Sequence, residues 1–136
     1  MFESKIYNDG TLIVGKISGV VEPQSFINGI FWQIDSHNVG EVKEGFSQLY
    51  YDLDVDKVLV TEDDIKKIAE INTGLGVNVG RFRTALVLSH PEIIKLARLH
   101  QSLARSHGVE VEIFDALYEG FHWLAVKNPD PESIVR

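Results

Sequence analysis

Arg83-Thr84-Ala85-Leu86-Val87-Leu88-Ser89-His90-Pro91 is the stretch that decides the fold. Ala85 to Leu88 is a short, unbroken apolar run, the pattern of a strand covered on both faces. Ser89-His90-Pro91 follows at once and opens a helix. Ser89 or His90 serves as cap, and Pro91 occupies the first turn, where a missing N–H costs nothing. Helical spacing then continues to about His107, and Gly108 stops it. A buried strand running directly into a helix is half of a βαβ unit. Parallel strands need such a crossover, and the crossover is right-handed.

The pattern extends in both directions. Downstream, Val109, Val111 and Ile113 alternate with Glu110 and Glu112, a half-buried strand at a sheet edge. Asp115 starts a last helix with Leu117, Phe121 and Leu124 as its stripe, and Asn128-Pro129-Asp130-Pro131 ends it. Upstream, Thr61-Glu62-Asp63-Asp64 has the spacing of a capping box. Ile65, Ile68, Ile71 and Leu75 continue as a helix that Gly74 and Gly76 bring to a stop. Before it, Gln48 to Asp52 reads as a short strand and Leu53 to Val60 as an irregular loop carrying Asp54 and Asp56. Glu41 to Phe46 reads as a polar connection.

The first third begins with a hairpin. Ser4–Tyr7 and Thr11–Ser18 flank Asn8-Asp9-Gly10, a turn signal, and Gly19 ends the second strand. From Gln24 to His37, Phe26, Ile27, Ile30, Phe31 and Ile34 fall within an arc of ~140° at 3.6 residues per turn. Trp32 lies outside that arc. The expected order is β-β-α-β-α-β-α-β-α, giving an α/β domain. Its five-stranded sheet is mixed but mostly parallel, with an N-terminal β-hairpin and four helices. Residues 1–127 form this single domain and 128–136 a tail.

Composition excludes several classes. The chain has 136 residues, a net charge of −7 and no cysteine. Disulfide scaffolds, Cys-based metal sites and thiol catalysis are therefore excluded. The acidic balance opposes nucleic-acid binding, which depends on neutralising phosphates. No apolar run reaches the roughly 18 residues of a membrane helix. Met1 to Lys5 has no apolar signal core, so a cytoplasmic location is expected.

Three stretches together resemble the SpoIIAA-like, or STAS, family of bacterial anti-sigma-factor antagonists and sulfate-transporter tails. They are Leu49-Tyr50-Tyr51-Asp52-Leu53 before a capped helix, Arg83 to Leu88 before a long Ala/Arg/Leu helix, and Val109 to Asp115 before Ala116-Leu117 and Trp123-Leu124. The resemblance spans roughly residues 4–127. It implies a SpoIIAA-like sheet and a non-enzymatic regulatory or protein-interaction domain, with a protein partner or self-association. It also implies a phosphoacceptor at the start of the second helix, where Thr61 is the only hydroxyl. Val60 stands where the family has an acid, and no glycine follows directly. Glu62, Asp63 and Asp64 would repel a phosphate there, so Thr61 reads as an N-cap ahead of a phosphoacceptor. The family fold is also similar in outline to CRAL-TRIO lipid-binding domains, so a pocket for a small apolar or lipid-like ligand is the alternative.

Few residues stand out for chemistry. His100 shares one helix face with Ile93, Ala97 and Ala104, so it reads as a ligand contact or as a core histidine bonded to a carbonyl. Arg81 and Arg83 are candidate anion contacts. Gly74, Gly76 and Gly80 before them run from helix to strand, opposite to a phosphate loop. Trp32 and Trp123 are interface candidates. Histidines 37, 90, 107 and 122 show no metal-ligand spacing. Asp52, Asp54 and Asp56 lack the glycine and glutamate of a calcium loop. No catalytic constellation, metal site or cofactor is expected.

Overall fold

The computed structural model describes residues 2–79, 82–106 and 110–127, with backbone alone at 75–79 and 106. Gly80, Arg81, His107, Gly108, Val109 and the 128–136 tail lie outside the described residues. The elements are β1 (Phe2–Tyr7), β2 (Leu12–Val21), α1 (Pro23–Asn38), β3 (Ser47–Val58), α2 (Glu62–Val79), β4 (Arg83–Val87), α3 (Pro91–Ser106), β5 (Glu110–Phe114) and α4 (Leu117–Leu124). They form one sheet in the order β1-β2-β3-β4-β5. β1 pairs with β2 antiparallel, and every later pairing is parallel. The expected architecture is found, with β5 at an edge.

Strand side chains alternate between faces, and both faces are covered here. Ile13, Ile17 and Leu86 meet Ile30 of α1, Ile65 and Ile68 of α2, and Ile93 and Ala97 of α3. Leu12, Val14, Leu49, Ala85 and Val87 meet Phe121 and Leu124 of α4. Three helices thus cover one face and one helix the other. Two-sided cover is why Ala85 to Leu88 carries no polar residue. Each fully buried aliphatic chain contributes about 1.5–3 kcal/mol.

Five local expectations are corrected. Gly19, at φ +60°, does not end β2. The register shifts there, and the strand continues through a bulge to Val21. Leu53 to Val58 is not a loop but the second half of β3, because Gly19 to Val21 pairs with Val55 to Val58. Glu41 to Phe46 is not a polar connection in its packing, since Val42 and Phe46 are core residues and Phe46 stacks on Phe82 at 5.1 Å. Gly74 and Gly76 do not stop α2, which runs to Val79; glycine lowers helix propensity by only about 1 kcal/mol.

The fifth correction bears on the site. The buried face of α1 is centred on Phe26, Ile30 and Gln33, and Phe31 is 53% exposed. Trp32, expected away from the core, packs partly buried against it. Gln33 turns inward because the sheet below offers it polar partners. No described helix is long and apolar enough to cross a membrane.

Candidate functional site

A cavity of about 110 Å³ lies between the sheet and the three-helix layer. Its floor is the inward face of β3 and β4: Gln48, Tyr50, Thr84 and Leu86. Its walls are Phe26, Ile30 and Gln33 of α1, Ile65, Ile68 and Asn72 of α2, and Ile93, Ala97 and His100 of α3. Phe2 of β1 borders it as well, with its ring 5.1 Å from those of Phe26 and Tyr50. Gly29 makes room for that ring: a Cβ there would lie 2.7 Å from Phe2 Cε1.

One end of the cavity is polar, and register builds it. Gln48 sits beside Thr84 in the parallel β3–β4 pair, and its Nε2 donates to Thr84 Oγ1 at 2.6 Å. Gln48 Oε1 accepts from Gln33 Nε2 and from the Tyr50 hydroxyl, both at 2.7 Å. Gln33 Nε2 also donates to the Tyr50 hydroxyl. Burial pushes the Tyr50 phenol well above its ordinary pKa, partly opposed by the Gln33 bond. The phenol is therefore a neutral donor at any ordinary pH. The network leaves one atom over: Gln33 Oε1 is buried without a partner. Unpaired buried polar atoms are uncommon, since each carries a desolvation cost of about 1–3 kcal/mol.

His100 reaches the same cavity from α3. Its Nδ1 is likewise buried without a partner, so the expected carbonyl bond is not made there. Burial lowers its pKa below the usual histidine value, favouring neutral imidazole. That shift has a measurable sign. As pH falls below about 6.5, the unfolded chain takes up the proton before the folded chain does. Stability is full above that pH and declines through the window between the unfolded and folded values, by up to about 1.4 kcal/mol per pH unit. Urea denaturation between pH 7.5 and 5.5 should show this slope. His100→Leu should flatten it, and an equal slope in the variant would remove His100 as its source.

The other candidates are placed elsewhere. Arg83 points to the opposite face of the sheet. Its Nε lies 3.0 Å from Glu110 Oε2, and its guanidinium lies 3.9 Å over the Trp123 ring. Trp123 also packs on Phe114 at 5.8 Å. It is half-buried, not held out from the core as an interface aromatic. Arg81 lies outside the described residues. Thr61 caps α2: its N–H donates to Asp64 Oδ2 at 2.9 Å, and its Oγ1 accepts from Asp64 N–H at 3.2 Å. His37 Nδ1 lies 3.2 Å from the Val42 carbonyl. Among the described residues no group of three metal-ligating side chains occurs.

Sequence patterning misses Gln33, Gln48, Tyr50 and Thr84. A faint signal was available for Gln33, which follows Phe26 and Ile30 at helical spacing, and for Thr84, which leads directly into the apolar run Ala85 to Leu88. Asp52, read as the last residue of a short strand, is 2% exposed and holds the start of α3. Chemically, the cavity offers apolar walls, uncharged polar groups at one end and, among the described residues, no carboxylate, lysine or arginine in its lining. It is equipped to bind, orient and desolvate a small molecule.

No protein-family model matches the chain, and no curated protein matches it. Among solved structures, it is similar to an uncharacterised DUF3478-family protein with a SpoIIAA-like fold from Shewanella loihica PV-4. The two share 13% identity over 91% of this chain and 92% of that one, with a TM-score of 0.54. The likeness is one of fold, and the fold is SpoIIAA-like.

Proposed function

We propose that this SpoIIAA-like domain is a non-enzymatic binding module for a small, largely apolar molecule held between the sheet and α1–α3. The observation that carries this is the cavity itself, apolar along its length and polar at one end. Its volume matters. Drug-sized ligands occupy pockets of about 300–1,000 Å³, whereas an engineered apolar cavity of about 150 Å³ takes benzene. About 110 Å³ therefore suits a molecule the size of one ring, not a long-chain lipid of the CRAL-TRIO kind. The lining supplies no nucleophile with a base beside it, which supports binding over turnover.

Thermal unfolding with and without toluene tests this. At ten times its Kd a ligand adds about 1.4 kcal/mol, or roughly 5 °C in Tm for a chain of this size. Ala97→Leu, which projects three further carbons from the cavity wall, should remove the shift. Absence of a shift in the parent protein, or its persistence in Ala97→Leu, overturns the proposal.

Protein docking is the second reading, and exposure moves it. The exposed aromatic of α1 is Phe31, not Trp32. Truncating Trp32 therefore reports on stability and truncating Phe31 on a partner. A phosphoryl group on Thr61 Oγ1 would displace the Asp64 N–H and face the carboxylates of Glu62, Asp63 and Asp64. These contacts favour Thr61 as a helix cap.

A further inference from the structure

Gln33 Oε1 and His100 Nδ1 lack partners, and both belong to residues that line one cavity. Gln33 is 2% exposed, so water outside the protein does not reach its amide. Its orientation follows from its neighbours. Gln48 Oε1 accepts from the Tyr50 hydroxyl and from Gln33 Nε2, so in this network Gln33 turns its N–H₂ to Gln48. Oε1 is what remains unpaired. A neutral imidazole protonated on Nε2 presents Nδ1 as a second acceptor. Among the described residues every polar side chain in the lining is uncharged: Gln33, Gln48, Tyr50, Asn72, Thr84 and the neutral His100. A carboxylate or phosphate entering here would find no counter-charge in the lining, inside a chain of net charge −7. An ammonium ion would find no carboxylate.

We propose that the cavity selects an uncharged molecule of about one ring that presents an O–H or N–H donor to Gln33 Oε1. This rests on the small-molecule reading above and specifies its ligand. Such a donor replaces an unpaired buried acceptor with a hydrogen bond, whereas a hydrocarbon of equal size leaves it unpaired. One net hydrogen bond corresponds to about tenfold in affinity.

Four probes of similar shape separate the terms: toluene, phenol, benzonitrile and benzoate. Titrations at pH 7.5, followed by NMR shifts of backbone and side-chain amides, should show all detectable binding at the cavity. Phenol should bind about tenfold more tightly than toluene. Benzonitrile, which only accepts, should bind no better than toluene, and benzoate should not bind. In Gln33→Met the phenol preference should vanish while toluene binding persists; the comparison of probes on the parent protein needs no variant. Equal affinity for toluene and phenol overturns donor selection and leaves the small-molecule reading standing. A preference for benzonitrile overturns it too, because the amide would then present its N–H₂. Benzoate binding as tightly as phenol overturns charge exclusion. Failure of all four to bind overturns both proposals.

Discussion

Replacing Asp52 with alanine will lower folding stability by about 1.5–3 kcal/mol, the range for hydrogen bonds made to a charged group. The carboxylate accepts from Ser89 N–H at 2.9 and 3.0 Å, from Ser89 Oγ at 2.9 Å and from His90 N–H at 2.8 Å. These groups precede Pro91, which has no N–H of its own to contribute at the start of α3. Asp52 therefore works as a helix cap supplied from the neighbouring strand β3. Alanine would leave the N–H of half-buried His90 without its acceptor, at about 1–3 kcal/mol, while the N–H and hydroxyl of exposed Ser89 would turn to water. Asp52→Asn keeps one acceptor oxygen and should lose less. Urea denaturation checks both: the midpoint should fall while the slope m stays unchanged. A loss below about 1 kcal/mol for Asp52→Ala would show that the ends of β3 and α3 hold without this clasp. The same clasp fixes where α3 starts, and so where Ile93, Ala97 and His100 stand over the sheet.

Asp52 also illustrates what a sequence discloses here. Element order was legible because the central strand β4 buries two faces while the edge strands and the helices bury one, and those demands write distinct periods into the chain. His100 was legible for the same reason: its spacing from Ile93, Ala97 and Ala104 already sets it on the inward face. Acidic residues hid the rest of β3. Leu53 and Val55 alternate with Asp54 and Asp56 as in a strand, but aspartate is a poor strand former. What outweighs that preference is pairing with β2 beyond the Gly19 bulge, a partner more than thirty residues away. The polar end of the cavity was hidden more deeply. Gln33, Gln48, Tyr50 and Thr84 are ordinary surface residues until the fold brings them together, Gln33 with Gln48 across 15 positions and Gln48 with Thr84 across 36. Their inward placement is a property of the set, because each is satisfied only by the others.

The adjacent residues Leu86 and Val87 allow a test that uses the sheet as its own control. Leu86 faces the cavity and Val87 faces α4. Leu86→Ala removes three carbons from a wall that already borders empty space, so the surroundings have little to collapse onto. Lost transfer energy and the added cavity volume together predict a loss of about 3–4 kcal/mol, and a Tm lower by roughly 10 °C. Stability of about 7–14 kcal/mol is ordinary for this length, so the variant remains folded. Val87→Ala also truncates a fully buried side chain, with an expected loss nearer 2 kcal/mol. The two should differ in how aromatic ligands rescue them. The enlarged cavity of Leu86→Ala should accept p-xylene and recover stability as RT ln(1 + [L]/Kd), beyond any gain in the parent protein. Val87→Ala lies across the sheet from the cavity and should gain no more than the parent does. Calorimetric scans of the three proteins with p-xylene measure this directly. Equal rescue of both variants would mean that the ligand acts on loosened cores in general, and that the space above Leu86 is not the binding site.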